Sequence, residues 1–283
     1  MKRRFKFKRK RRRLKKVVFF IIILLVIYCL YRFYNSLIYK NDYMVARMIT
    51  SDNGYNKYND PFYLLDNIIV KKKKENSITT NDYDVYIYST HEKESYSDSY
   101  LNNYNIRPNV KMMSYILRDY LDDYGVNCYV EENSVTDILN SNNWAYKYSY
   151  EASRILIKDN ILNNNYKLII DLHRDSSSLE KTLLDINNTK YARILFVVGG
   201  EYDTYQDNYD LSIKLNNYLK DEVDGINRGV ILKKGLGVNG VYNQDLSKNM
   251  VLIELGGQYN SIEELNNSLK ILSKVISKYL EEV

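Results

Sequence analysis

The 283-residue chain contains two histidines, and both lie in short segments that are rich in acidic side chains. His91 and Glu94 stand three residues apart in His-Glu-Lys-Glu, and His173 lies between Asp171 and Asp175 in Asp-Leu-His-Arg-Asp. Neutral imidazole is the commonest metal ligand in proteins. A tight turn after His91 would bring its ring and the Glu94 carboxylate to one ion. Together with His173 they would form a His₂Glu set, which catalytic zinc uses.

Glu254 is the candidate general base. It lies inside the apolar run Val-Leu-Ile-Glu-Leu-Gly-Gly, where an unpaired carboxylate would be costly. Catalytic zinc with three protein ligands leaves a position for water and lowers the pKa of that water toward neutrality. A carboxylate that does not bind the metal could take the proton of this water and pass it to the leaving amine. The residue types therefore indicate a zinc hydrolase.

Three alternatives remain open at these residues. Glu92 could replace Glu94 as the carboxylate ligand. Asp175, beside Arg174, is more often part of a supporting or structural ion pair than a metal ligand. The two histidines could also be purely structural and Glu254 a solvated strand end.

The elements that must position these side chains alternate between strand and helix. Both histidines follow apolar, β-branched runs, and sites in parallel sheets form outside the carboxyl ends of the strands. The predicted strands are Val85–Ser89, Val126–Val130, Leu168–Leu172, Arg193–Val198, Val230–Leu232 and Met250–Leu255. The predicted helices are Pro108–Tyr124, Trp144–Leu162, Tyr205–Val223 and Ser261–Leu280, the last with a Ser261/Glu264 capping box. This pattern predicts an α/β domain with a mostly parallel sheet flanked by helices.

The charge of the chain is concentrated at its start. Residues 2–16 hold 12 Lys or Arg and no acid, so the formal net charge of +6 misleads. Removing those 12 from the total of 41 leaves 29 basic against 35 acidic residues. An apolar run of 15 residues, Val17–Tyr31, follows directly. This order argues against nucleic acid as a partner.

We expect the apolar run to be a single-pass membrane anchor. Arg32 can extend toward the headgroups, and the aromatic residues after it suit the interface. Only bulky residues stand where a signal peptide would be cleaved. The positive-inside rule then predicts a cytoplasmic arm at 1–16 and an anchor at 17–37. A juxtamembrane stalk at 38–80 and an extracytoplasmic catalytic domain at 81–283 would follow.

Four segments resemble one known family, the stage II sporulation protein P family of zinc-dependent N-acetylmuramoyl-L-alanine amidases. They are Tyr86–Tyr96, Ser149–Arg154, Ile170–Asp175 and Tyr242–Asn260. The resemblance covers roughly residues 83–280, with the segments in the same order, and the single N-terminal anchor fits the family as well.

The resemblance implies a membrane-bound peptidoglycan hydrolase that cuts the amide between N-acetylmuramic acid and L-alanine, and in this family also peptide cross-links. It implies an amidase-like or carboxypeptidase-like fold and a lytic transglycosylase partner, stage II sporulation protein D, during engulfment. By motif, it implies zinc ligands at His91, Glu94 and His173, the catalytic base at Glu254, and supporting roles for Arg174 and Asp175.

The chain departs from the family in two places, and two other functions stay open. The family often has a further histidine where this chain has Ser89, and the stalk is short. A metallocarboxypeptidase would use similar residues, with Arg174, Arg193 or Arg228 gripping a terminal carboxylate. A wall-binding module without activity is the other alternative, although it would have no reason to keep all four central site residues.

Overall fold

The computed structural model describes residues 22–31, 83–97 and 107–283. Residues 22–31 form a helix with exposed apolar side chains, in a unit separate from the domain. Within these three ranges no helix is both long and apolar enough to cross a membrane. The arm at 1–16, the stalk at 38–80 and the rest of the predicted anchor at 17–37 lie outside the described residues.

In the part of the chain that the structure describes, six strands form one sheet and two form a hairpin. In chain order the strands are β1 (Val85–Tyr88), β2 (Cys128–Val130), β3 (Leu168–Asp175), β4 (Leu183–Ile186), β5 (Thr189–Ala192), β6 (Ile194–Gly199), β7 (Asn227–Lys233) and β8 (Met250–Gly257). The sheet has the order β2-β1-β3-β8-β6-β7, and β4 pairs only with β5. Strands β2, β1, β3 and β8 are parallel, whereas β6 runs antiparallel to β8 and carries β7 parallel to itself. The mostly parallel sheet is confirmed, with one reversal that the sequence analysis did not predict.

Helices cover both faces of this sheet. In chain order they are α1 (Val110–Asp123), α2 (Val135–Ser141), α3 (Ser149–Asn163), the single turn α4 (Leu179–Thr182), α5 (Tyr205–Glu222) and α6 (Ile262–Leu280). Helices α1, α5 and α6 pack together on one face, and α2 and α3 lie on the other. The predicted helix at 144–162 begins later, at Ser149, because a 3₁₀ turn at Tyr146–Tyr148 precedes it. Helix α2 and the β4–β5 hairpin were not predicted.

The predicted capping box of α6 is present. The Ser261 hydroxyl accepts a hydrogen bond from the Glu264 amide at 3.2 Å, and the Glu264 carboxylate accepts one from the Ser261 amide at 3.0 Å. Both bonds satisfy amide groups that the first helical turn leaves without a partner. Helix α6 therefore begins where its sequence predicts.

The two central strands, β3 and β8, are buried along almost their whole length. Such strands are apolar throughout when helices cover both faces of a sheet. Two residues of β3 break this rule, since Asp171 and His173 are polar and only 1% and 3% exposed. Buried polar side chains in a central strand need specific partners, and these partners lie at the candidate site.

Candidate active site

Two neighbouring strands carry the candidate base and one of the histidines. In the register between β3 and β8, His173 stands beside Glu254. Paired residues of adjacent strands project from the same face of a sheet, and Asp171, two residues before His173, shares that face. Strand β1 lies on the other side of β3, so the chain that follows its end delivers His91 to the same edge.

A tight turn after β1 brings His91 and Glu94 together, as the His-x-x-Glu spacing requires. The Glu94 amide donates to the His91 carbonyl at 2.9 Å. The rings of His91 and His173 lie edge to face, with centroids 5.3 Å apart. Nδ1 of His173 is 3.9 Å from Oε2 of Glu94, and that oxygen accepts the Arg174 amide at 2.9 Å. The structure thus brings together the two histidines, Glu94 and Glu254.

Asp171 is a site residue that the sequence analysis did not select. Its Oδ1 lies 2.9 Å from Nε2 of His173, at an angle that makes no hydrogen bond. The same carboxylate accepts the Thr90 amide at 2.9 Å and the Thr90 hydroxyl at 2.8 Å, so its position is fixed. The Asp-x-His spacing in a strand, which places both side chains on one face, was the signal that could have revealed it.

Nδ1 of His91 and Oε2 of Glu254 are buried atoms at this site that have no hydrogen-bond partner among the described residues. Nε2 of His173 makes no hydrogen bond either, but it lies 2.9 Å from Oδ1 of Asp171, so Nδ1, on the side of Glu94, is the nitrogen left for a ligand. Buried polar groups are nearly always partnered, so unpartnered ones indicate a ligand. With Glu94 beside them, the two histidines offer two imidazoles and a carboxylate, a donor set that zinc favours. The donors therefore fit zinc chemically, although no three His, Cys, Asp or Glu side chains of residues 22–31, 83–97 and 107–283 already form a metal-binding group.

The protonation states of the two histidines differ. Burial and the neighbouring charge of His173 lower the pKa of His91 to about 4, so the His91 ring is neutral at pH 7. Burial also lowers the pKa of His173, but the Asp171 carboxylate outweighs it and raises that pKa to about 9. Binding a metal cation at His173 would release its proton, since ligating imidazole is neutral.

The two glutamates are less acidic than usual. Burial raises the pKa of Glu254 to about 7, against the opposing charge of His173 and with the help of Glu94. Burial is also the largest cause of the raised pKa of Glu94. A carboxylate with a pKa near 7 exchanges protons readily at neutral pH. Glu254 therefore has the property that a general base or acid requires.

Glu92, the alternative to Glu94, is engaged elsewhere. Its carboxylate accepts the Ser134 hydroxyl at 2.6 Å and the amides of Val135 and Thr136 at 3.2 and 3.1 Å. These groups lie at the start of α2, so Glu92 caps that helix, and its negative charge interacts favourably with the helix dipole. Of the two glutamates, Glu94 is the one that faces His173.

Asp175 lies in an ion pair, as one of the alternatives above expected. Its Oδ2 accepts a hydrogen bond from Nη1 of Arg228 at 2.5 Å, and its Oδ1 accepts one from the Ser177 amide at 2.8 Å. Burial raises the pKa of Asp175, but these hydrogen bonds outweigh burial and lower it. Asp175 thus fixes the loop after β3 and stays ionised.

The arginines near the site differ in their free donors. Arg193 donates to the backbone carbonyls of Gly225 and Asn227, and Arg228 is bound to Asp175. Arg174 donates from Nη1 to a backbone carbonyl, while its buried Nε has no partner among the described residues. Of these three arginines, Arg174 is the one with a buried donor that has no partner in the described part of the chain.

Ser89, at the position where the family often has histidine, does not face the site. Its hydroxyl lies 3.5 Å from that of Ser114 in α1. The next side chain, Thr90, instead contacts Asp171 through its hydroxyl.

Tyrosines from α3 and its approach surround the two imidazoles. Tyr146 stacks on His91 with ring centroids 4.8 Å apart, and Tyr150 lies parallel to His173 at 6.3 Å. Tyr242 meets the Tyr150 ring edge to face at 5.3 Å. These rings lie against one side of each histidine, and no sequence spacing had indicated them.

Fold and site together define an α/β domain with a histidine–glutamate site at the carboxyl ends of its parallel strands. Residues 42–277 match the family described as Stage II sporulation protein P, and the chain belongs to that family. Over 202 residues it is 34% identical to the Stage II sporulation protein P of Bacillus subtilis (strain 168). That match covers 69% of this chain and 50% of the relative, so the chain spans about half the relative's length.

Solved structures of amidases are also similar. The CwlD amidase from Clostridioides difficile, in complex with the GerS lipoprotein, has a TM-score of 0.46 and 17% identity, covering 71% of this chain and 100% of that one. An N-acetylmuramoyl-L-alanine amidase from Clostridium difficile 630 has a TM-score of 0.42 and 12% identity, covering 71% and 98%.

Proposed function

We propose that this protein is a peptidoglycan hydrolase that cleaves the amide between N-acetylmuramic acid and the L-alanine of the stem peptide. The observation that carries the proposal is the convergence of His91, His173, Glu94 and Glu254 at one edge of the sheet. Nδ1 of His91 and Oε2 of Glu254 are buried and have no hydrogen-bond partner in the described part of the chain. Membership of the sporulation family supports peptidoglycan as the substrate.

We further propose that His91, Glu94 and His173 hold a zinc ion. When bound, zinc supplies a Lewis acid that polarises a carbonyl and lowers the pKa of water. The protein's own contribution is to fix the donors. The Arg174 amide holds the Glu94 carboxylate, and the Thr90-bound Asp171 lies against His173. Carboxylates placed in this way orient a ligating imidazole and raise its basicity.

Glu254 moves the proton in this proposal. Its ionised carboxylate removes a proton from the attacking water and delivers it to the amine nitrogen of L-alanine as the amide bond breaks. Because the ionised form is the active base, the rate of hydrolysis should rise with pH across the pKa of Glu254. Arg174 offers its unpartnered Nε to a substrate oxygen, and Asp175 holds Arg228 and the loop beside it.

A metallocarboxypeptidase is the second candidate, because Arg174 keeps a free donor that could bind a terminal carboxylate. Parallel assays on muramyl peptides and on free peptides separate the two. The amidase requires the muramyl group, whereas the carboxypeptidase requires a free terminal carboxylate.

The roles of Glu254 and His173 are tested by two substitutions. Glu254→Gln should still bind zinc but lose hydrolysis of purified wall, because the amide cannot take a proton. His173→Ala should lose both zinc and hydrolysis. Dye release from labelled peptidoglycan and metal analysis of the same preparations measure the two properties. Hydrolysis by Glu254→Gln at the normal rate would exclude Glu254 as the base.

We propose in addition that residues 17–37 anchor the protein in the cytoplasmic membrane, with residues 1–16 in the cytoplasm and the catalytic domain outside. The basic arm followed by the apolar run supports this orientation. In that location the enzyme would reach the wall and a lytic transglycosylase such as stage II sporulation protein D. Cleavage of peptide cross-links is part of the same proposal.

A further inference from the structure

Three aromatic side chains stand exposed beside the candidate active site. Trp144, Tyr146 and Tyr148 occupy alternate positions before α3 and are 36%, 62% and 39% exposed. Trp144 is the single tryptophan of the whole chain. We call these three residues the aromatic rim. Exposed apolar patches of this kind mark interaction or ligand-binding sites.

The backbone holds the aromatic rim in a fixed conformation. Asn143 has a φ of 53°, the left-handed conformation that often ends a helix, here α2. The Trp144 amide donates to the Leu139 carbonyl at 2.8 Å, and the Tyr148 amide donates to the Ala145 carbonyl at 2.9 Å. An ordered turn therefore holds the rings, so less conformational entropy is lost when a ligand binds to them.

The aromatic rim is continuous with the site. One face of the Tyr146 ring lies on the His91 imidazole, with centroids 4.8 Å apart and planes 25° apart. Most of the remaining Tyr146 surface is open to solvent. On either side of Tyr146 in the sequence, Trp144 and Tyr148 have ring centroids 6.0 Å apart. A sugar stacked on the open side of Tyr146 would lie one ring away from His91, a candidate zinc ligand.

The chemistry of the surface favours a sugar over a protein. Residues 141–148 read Ser-Asn-Asn-Trp-Ala-Tyr-Lys-Tyr, so polar side chains alternate with flat rings and no branched aliphatic residue is present. Hexose rings have an apolar C–H face, which is attracted to the negative face of an aromatic ring, and a hydroxyl edge that suits polar neighbours. The three rings alone offer less surface than the roughly 800 Å² that each partner of a specific protein–protein interface buries.

We propose that the aromatic rim binds the N-acetylated hexose rings of the glycan strand and positions the lactyl amide at the site. This inference deepens the proposed function and rests on it, because the scissile amide is attached to a sugar of that strand. The aromatic rim would supply binding along the polymer that a single muramyl peptide cannot use. Its loss should therefore raise KM on polymeric wall more than on a small muramyl peptide.

The single tryptophan makes the proposal measurable. We would titrate the full chain, in detergent, with glycan strands from which stem peptides have been removed. Saturable change of Trp144 emission is expected, because the ring is covered by sugar. Tyr146→Ala should weaken binding by about tenfold, the loss expected for one stacked ring, and Tyr146→Phe should restore it.

Tyr124→Ala is the matched control, because Tyr124 is also an exposed tyrosine but lies after the far end of α1. It should leave glycan binding unchanged. Unaltered Trp144 emission at saturating glycan, or equal affinity of Tyr146→Ala and wild type, would overturn the proposal, as would emission that responds only to a protein partner. Glycan binding without any wall hydrolysis would refute the proposed function alone.

Discussion

His173 lies at the centre of the candidate site, next to most of its other side chains. Its ring touches His91 on one side and Tyr150 on another, and its two nitrogens face Glu94 and Asp171. The residue types alone indicated the histidines and both glutamates. They could not indicate the tyrosine stacking, because it depends on how a loop and α3 approach the sheet.

Asp171 should act on the metal through His173, as a positioning residue. We predict that Asp171→Asn lowers zinc affinity by about 10- to 100-fold, the usual effect of losing a carboxylate beside a ligating histidine. Competition with a chromophoric chelator measures this affinity. Asp245→Asn, which removes the exposed ion pair with Arg154, is the control and should bind zinc normally. Equal zinc affinity in Asp171→Asn and wild type would show that Asp171 has only a structural role.

At the scale of elements, the site depends on three parallel strands, β1, β3 and β8. Strands β1, β3 and β8 were predicted from their apolar runs, and their carboxyl ends meet as parallel strands must. The reversal of β6 was not predictable from the alternation of strand and helix. The chain between β3 and β6 holds one helical turn and a hairpin, without the longer helix that usually forms a parallel crossover.

Substitutions of Glu92 and Glu94 should have different effects, the first on stability and the second on metal binding. We predict that Glu92→Gln lowers the free energy of unfolding by about 1 kcal/mol, the usual loss for a helix cap, and leaves zinc affinity unchanged. Glu94→Gln should lose zinc, because the carboxylate beside His173 becomes a neutral amide. Thermal unfolding and zinc titration of both variants measure these effects. Loss of zinc in Glu92→Gln with full binding in Glu94→Gln would reverse the assignment of the ligand.

At the scale of the whole molecule, charge and hydropathy divide the chain. The basic residues before the apolar run leave an excess of acidic residues in the remainder, which suits an anchored domain better than a nucleic-acid-binding one. Residues 22–31 are helical, and the membrane anchor stays a prediction.

Deletion of residues 1–37 should move the protein from the membrane fraction to the soluble fraction. The full chain should stay with membranes in high salt and at alkaline pH, because burial of apolar side chains in the bilayer is insensitive to salt. Release of the full chain by high salt alone would show that the basic arm, and not the apolar run, attaches the protein.

The bond that is cut tests the central claim most directly. Purified peptidoglycan digested by the zinc-loaded full chain should release peptides with a free L-alanine amino group and leave glycan with intact lactyl carboxylates. Mass spectrometry of both fractions identifies these ends, and Glu254→Gln should produce neither. The proposed function would be contradicted if the active wild-type protein released only fragments that keep the lactyl–alanine amide and are cut at other bonds.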